Sequence, residues 1–225
     1  MTTRATLAVL GGTGSEGGGL ALRFAAAGYP VVIGSRDAIR AADAADAINR
    51  RLGTRFARGG TNETAASLGA IVILAVPFAA QLATLERVRP HLAGKILVDV
   101  TVPLVPPKIS RVHLPPEQSA VVAAQTLLGS TTRVVAAFQN VSAHQLAAIE
   151  HVVDCDVLVC GDDKDARETV VRLAQDASMR ACHAGPLINA VAAEALTSVL
   201  LFMNRHYKSA GTGIRITGLD GGVTS

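Results

Sequence analysis

Gly12-Thr13-Gly14-Ser15-Glu16-Gly17 follows directly on the apolar run Thr6 to Leu10 and opens a stretch with helical spacing. A glycine-rich turn between a buried strand and a helix leaves few architectures open. In the G-x-G-x-x-G pattern Gly12 permits the tight turn, Gly14 lets a pyrophosphate approach the backbone, and Gly17 lets helix pack closely on strand. The helix N-terminus then turns unpaired N–H groups and a partial positive charge toward phosphate oxygens. The pattern, inside a strand–helix–strand unit near the start of the chain, predicts a nucleotide site. Glu16 lies within the loop and is expected to face solvent or cap the helix.

The same rhythm continues. Leu20, Leu22, Phe24 and several alanines carry the first helix over 16–27 to a stop at Gly28. Tyr29 to Ile33 reads as a second strand, 38–52 as an Ala-rich helix, and Thr61-Asn62-Glu63-Thr64 as the cap of a short third one. Ile71 to Val76 is a strong strand ended by Pro77, with a helix over 79–88. Ile96 to Val100, Val134 to Phe138 and Val157 to Cys160 are further strands, and Gly161-Asp162-Asp163 precedes another helix. This alternation predicts an α/β fold of Rossmann type, a doubly wound, mostly parallel sheet covered on both faces. From about Cys182 the rhythm changes: Gly185-Pro186 opens a long apolar helix through Asn204, and a Gly-rich tail carries Ile214-Arg215-Ile216. We therefore expect residues 1–181 to form the nucleotide-binding domain. Residues 182–225 should form a small, mainly helical C-terminal domain, too short to be stable alone.

Composition narrows the function classes. With 49% hydrophobic and 17% charged residues, the 225-residue chain is far from a disordered composition. Aromatics are 3% and Trp is absent, so the core must be built from Ala, Val, Leu and Ile. The net charge of +3 comes from scattered arginines, with only Arg50-Arg51 adjacent, which gives no basic tract for a nucleic acid. The start Met1-Thr-Thr-Arg-Ala lacks the features of a signal peptide, and Pro186 to Met203, interrupted by Asn189 and Glu194, reads as a buried helix rather than a membrane span. A cytoplasmic protein is expected. Cys155, Cys160 and Cys182 match neither a disulfide framework nor a C-x-x-C pair, and the six histidines show no metal-binding spacing.

The identity of the dinucleotide is decided where the second strand ends. NAD-binding folds place an Asp or Glu there for the ribose hydroxyls, whereas this chain has Gly34-Ser35-Arg36. A hydroxyl and a guanidinium suit a 2′-phosphate that a carboxylate would repel. Arg40, one helical turn on, can close the clamp, and Asp37 can cap the helix or pair with an arginine. NADP(H) is therefore preferred over NAD(H). Ala75-Val76-Pro77, at the end of a central strand, should hold the nicotinamide side, with the proline leaving neighbouring carbonyls free for a carboxamide.

No catalytic side chain stands out. There is no G-x-S-x-G elbow, Asp162-Asp163 sit in a capping context, and Glu194 on the apolar helix reads as a paired or snorkelling carboxylate rather than a general base. A carbonyl reductase needs a proton donor, but hydride passage between two ring cofactors needs mainly orientation and exclusion of water. A two-cofactor oxidoreductase accommodates both the loop and the missing acid–base set.

Leu10-Gly-Gly-Thr-Gly14, Gly34-Ser-Arg36, Val76-Pro77, Cys160-Gly-Asp-Asp163, Ala184-Gly-Pro-Leu187 and Gly213-Ile-Arg215, in this order, resemble the NADPH-dependent reductases of the deazaflavin coenzyme F420 over nearly the whole chain. The resemblance implies a homodimer with the deazaflavin between the two domains, its C5 stacked on nicotinamide C4 for reversible hydride transfer. It also implies that Thr13, Ser15, Ser35, Arg36 and Arg40 bind the nucleotide, and that Val76, Pro77 and Ala137 line the nicotinamide. The deazaflavin pocket would then fall around Phe138 to Val141, including Gln139, and around Leu187 to Asn189. Archaeal members have a His where this chain has Gln139 and an Arg near Val191. These departures bear on the second cofactor, because glutamine can donate a hydrogen bond but cannot become cationic. Two other readings remain open: an NADPH-dependent flavin or flavin-mediated ferric reductase, and a non-catalytic NADP-sensing module.

Overall fold

A short apolar run is long enough to be a strand and too apolar to face water, so it becomes the centre of a sheet. In the computed structural model, which describes residues 4–219, three strands do this: β1 (Leu7–Leu10), β4 (Ile71–Leu74) and β5 (Ile96–Asp99, three apolar residues and a buried aspartate), each buried along its length. Residues 1–3 of the N-terminal segment and the Gly221-Gly222 end of the tail lie outside the described residues.

Around this centre the chain winds in both directions. First come α1 (Ser15–Ala26), β2 (Val31–Ser35), α2 (Ala38–Leu52), β3 (Ala57–Thr61) and α3 (Asn62–Leu68). Beyond β4 follow α4 (Gln81–Val88), then β5, α5 (Ala120–Leu128), β6 (Arg133–Ala136) and α6 (Ala143–Ala147). The last part comprises β7 (Val153–Gly161), α7 (Lys164–Asp176), β8 (Met179–Gly185) and α8 (Ala190–Tyr207). The eight strands order as β3-β2-β1-β4-β5-β6-β7-β8, all parallel except that β7 runs antiparallel to β6. Strand residues alternate between two cores. Leu7, Val9, Ile33 and Ile73 meet α1, α2 and α7 on one face, while Ala8, Leu10, Val32 and Leu74 meet α3, α4 and α5 on the other. This is the Rossmann-type doubly wound sheet that the pattern predicts, with a helical C-terminal region.

Three strand details depart from the sequence reading. β2 begins at Val31 rather than Tyr29, because Pro30 has no N–H to give to the ladder and only its carbonyl is used, accepting from Leu7 N at 2.9 Å. β3, Ala-Arg-Gly-Gly-Thr, has no apolar run; a Cβ on Gly59 would lie 2.2 Å from Ala42 N, so the bare backbone is what lets α2 lie against the edge strand. β8 is the other edge and alternates buried Met179 and Ala181 with partly exposed Arg180 and Cys182. It straddles the expected boundary at residues 181 and 182, and the sheet runs through that point without a break.

α8 also differs from the buried helix expected. The run Leu187–Tyr207 is long and apolar enough to cross a membrane by length and composition, and 33% of its most apolar window is buried in the chain. Its inner face carries Ala190, Ala193, Glu194, Ser198 and Leu200, whereas Val199 and Phe202 are exposed. Glu194 is the paired carboxylate foreseen. Its oxygens accept from Ser119 Oγ at 2.6 Å, Ala120 N at 2.8 Å and Val121 N at 3.2 Å, reinforcing the Ser119 cap of α5.

A second buried charge ties α1 to the region beside the cleft. Arg23 is 4% exposed, and its guanidinium donates to the carbonyls of Gln145, Leu146, Ala148 and His151 at 2.7–3.2 Å, satisfying the last turn of α6 and the segment after it. Replacing Arg23 by Leu leaves those carbonyls without their donor. Denaturant titration should return a loss of about 3 kcal/mol, and an unchanged midpoint would refute the clamp.

Candidate functional site

The sheet reverses its winding between β1 and β4, so a crevice opens at the carboxyl ends of these two strands. The turn after β1 crosses it closely. Gly11, at φ +74°, could carry no side chain, since a Cβ would lie 2.4 Å from Ala75 O. A Cβ on Gly17 would lie 2.7 Å from Gly11 O. Asn62 holds the turn from the far side, its Oδ1 accepting from Gly11 N at 3.3 Å while its bulk leaves no room for a side chain at Gly34. Asn62 was legible only as part of a helix cap; its role depends on β2 and β3 being neighbours.

α1 therefore starts at the crevice. Its N-cap Gly14 offers no side-chain cap, whereas α2, α3, α5 and α7 are capped by Asp37, Thr61, Ser119 and Asp163. The N–H groups of Ser15, Glu16 and Gly17 are left for an anion. Thr13, Gly14 and Ser15 are at least partly accessible around them, and Gly12 is buried beneath.

At the end of β2, Ser35 is buried and its Oγ accepts from Asp37 N at 3.2 Å. Asp37 is a cap, accepting from Ile39 N and Arg40 N, so it does not neutralise the neighbouring arginines. Arg36 and Arg40 are exposed, and neither guanidinium has a hydrogen-bond or ion-pair partner among the described residues. Two exposed cations without partners among the described residues and a hydroxyl, with no carboxylate aimed at them, are the chemistry that a phosphate group would take.

Next to α1 a cavity of about 760 Å³ opens, a volume in the range that holds a ring cofactor. Glu16, Val76 and Pro77 border one side, and Gln139, Asn140 and Val141 another. Thr101 from the segment after β5, and Thr197, Leu200 and Asn204 from α8, complete the wall; none of these four is singled out by sequence, because no motif marks them. Pro77 does end its strand region, but its own carbonyl accepts from Ala80 N at 2.8 Å and is not free. Ala137 is fully buried behind the wall. Phe138 has φ +73°, a left-handed conformation costly for a bulky residue, and its ring packs edge-on against Phe24 with centroids 6.1 Å apart. That turn brings Gln139 and Val141 to the cavity.

Polar chemistry in the wall is concentrated in acceptors. Gln139 Nε2 donates to Asp99 O at 2.8 Å, and Asn140 Nδ2 to Asp156 O at 2.8 Å. Their oxygens, with Thr101 Oγ1 and Glu16 Oε1, are buried and have no hydrogen-bond partner among the described residues. The oxygens of Gln139 and Asn140 can only accept, while the Thr101 hydroxyl and the Glu16 carboxyl can accept or donate, so the residues present fit a ligand with polar ring edges, such as a carboxamide or a deazaflavin. Glu16 departs from the expected solvent-facing or capping role: burial pushes its carboxyl up to about 8. Asp99 and Glu194 are likewise raised by burial, but both spend their oxygens on internal donors.

Leu187 and Asn189, expected beside the second cofactor, lie elsewhere in the chain. Leu187 is buried, its N–H bonded to Asp162 Oδ1 at 2.9 Å, and it borders a separate groove at the opposite ends of the parallel strands. Asn189 Nδ2 donates to Ala184 O. β7 and β8 run down to that edge, so α8 starts there, and only its second half climbs to the cavity. Among the described residues no cluster of His, Cys, Asp and Glu could hold a metal.

Fold and crevice together define a dinucleotide-binding oxidoreductase fold. A family model described as NADP oxidoreductase coenzyme F420-dependent matches residues 6–103. An F420-dependent NADP reductase of Methanocaldococcus jannaschii is 40% identical over 222 residues, covering 95% of this chain and 99% of that one. That of Methanothermobacter marburgensis is 42% identical over 221 residues, covering 95% and 98%. A solved structure of a candidate F420-dependent NADP reductase from Arthrobacter sp. FB24 superposes with a TM-score of 0.78 at 26% identity, covering 94% of this chain and 98% of that one. The chain belongs to the F420-dependent NADP reductase family.

Proposed function

We propose that this chain transfers a hydride reversibly between NADP(H) and the deazaflavin coenzyme F420. The observation that carries the reading is the continuity of the site: a phosphate fork of Ser35, Arg36 and Arg40 leads past the uncapped start of α1 into a cavity rich in unpartnered acceptors. Arg36 and Arg40 hold the 2′-phosphate, and the N–H groups at Gly14 to Gly17 hold the pyrophosphate. Val76 and Pro77 press the nicotinamide into the cavity, and Gln139, Asn140 and Thr101 accept from the polar edges of the two rings. When both are bound, nicotinamide C4 and deazaflavin C5 supply the hydride chemistry. The protein's part is stacking, orientation and exclusion of water, without a side chain acting as general acid or base.

Residues 182–225 close the second-cofactor side through the latter half of α8, and the chain works as a homodimer in the cytoplasm. Exposed Val199 and Phe202 on α8 support an apolar face for a second copy, and the three unpaired cysteines suit a reducing compartment. Sedimentation should return the mass of two chains; a monomer at micromolar concentration would remove the dimer.

Purified protein with NADPH should bleach the visible absorption of the oxidised deazaflavin, and folded protein that leaves it coloured ends the reading. Arg36→Ala should weaken NADPH about ten- to a hundredfold, on the order of 1.5–3 kcal/mol, with little effect on NADH. An equal loss for both nucleotides would contradict the role of the fork.

A further inference from the structure

Among the described residues Glu16 is the one carboxylate bordering the cavity, which Val76 and Pro77 also line, and its Oε1 is buried with no partner. Its neighbour Gly17 abuts Ala75, the residue before Val76, with 3.1 Å between an added Cβ and the alanine Cβ. Among the described residues no cation pairs with it, and the one other titratable residue in the cavity wall is the exposed His144 of α6, which packs against α1. Arg23 on the same helix is committed to carbonyls, the charged residues of α2 lie outside the cavity, and Asp99 lies behind Thr101 and Gln139.

We propose that Glu16 links a proton to the redox state of the bound nicotinamide: its carboxyl stays protonated against the neutral ring of NADPH and gives up its proton when the positively charged ring of NADP+ occupies the site. This rests on the proposed function, which puts the nicotinamide against Val76 and Pro77. A buried carboxyl oxygen with no cation and no donor beside it among the described residues is stable as the neutral acid, and burial pushes the group up to about 8. A cationic ring brought close supplies the missing counter-charge and reverses that preference. The O–H bond breaks, the electron pair remains on the carboxylate, the proton passes to solvent, and no electron is transferred. By linkage, NADP+ should then bind more tightly as pH rises, toward tenfold per pH unit between about pH 6 and 8, and NADPH should lack this term.

The test is calorimetric titration of the full chain with NADP+ and with NADPH at pH 7, in two buffers of different ionisation heat. The 2′-phosphate, which also titrates near pH 6, is common to both nucleotides and cancels in the difference. NADP+ should release up to one proton more per site than NADPH, and Glu16→Gln should abolish that difference while both nucleotides still bind. Equal release in the native chain, or a difference that survives in E16Q, overturns the linkage alone. Failure of either nucleotide to bind the native chain removes the proposed function and the linkage with it. The melting temperature is a second readout that needs no ligand. A buried acid with a raised pKa stabilises the fold below about pH 4.5 and loses that contribution as pH rises to about 8. The native chain should therefore lose ground to E16Q across this window, and parallel profiles would count against a buried neutral Glu16.

Discussion

The architecture depends on one close approach, that of the turn after β1 to the end of β4 across α1. Gly11, Gly17 and Ala75 meet where even one added methylene has no room. Because the backbones touch, α1 begins at the crevice, its first N–H groups point into it, and no side chain caps them. A bulkier residue would lift the helix away and move the phosphate site and cavity wall together. Asn62 and Arg23 act on the same element, one holding its entry turn and the other fixing its second half to the region beyond α6.

Buried charge is used in two different ways. Asp99 takes donors from Gln81 and Thr101 beneath the cavity, and Glu194 takes three donors at the start of α5. Both carboxyls are committed to holding backbone in place. Among the described residues Glu16 has one buried carboxyl oxygen without a partner, and Arg36 and Arg40 have charge without partners. Glu16 Oε1, Thr101 Oγ1, Gln139 Oε1 and Asn140 Oδ1, all buried without a partner among the described residues, border one cavity, which is where a ligand can satisfy them.

Gln139, where the family resemblance implies a histidine, borders this cavity. Gln139 uses its amide N–H to hold Asp99 O, so it presents only its oxygen to the cavity. Thr197 accounts for the backbone beside it, donating to Gln139 O at 2.8 Å. At Gln139 the wall is therefore a neutral acceptor surface.

The sequence by itself determined the centre of the sheet, the glycine-rich turn between β1 and α1, and the caps at Asp37, Thr61 and Asp163, because each depends on residues within a few positions of one another. Edge strands β3 and β8 escaped it: one side of each is not buried by the sheet, so no continuous apolar run is required. Part of the cavity wall escaped it for a different reason. The segment from Phe138 to Val141 was expected there, but Thr101 and Thr197 lie far apart in the chain, and only the climb of α8 brings them to one cavity with Glu16, while leaving Leu187 at the other end of the sheet. Local chemistry was readable from order along the chain; which groups share a cavity, and which are left without a partner there, was decided by long-range packing.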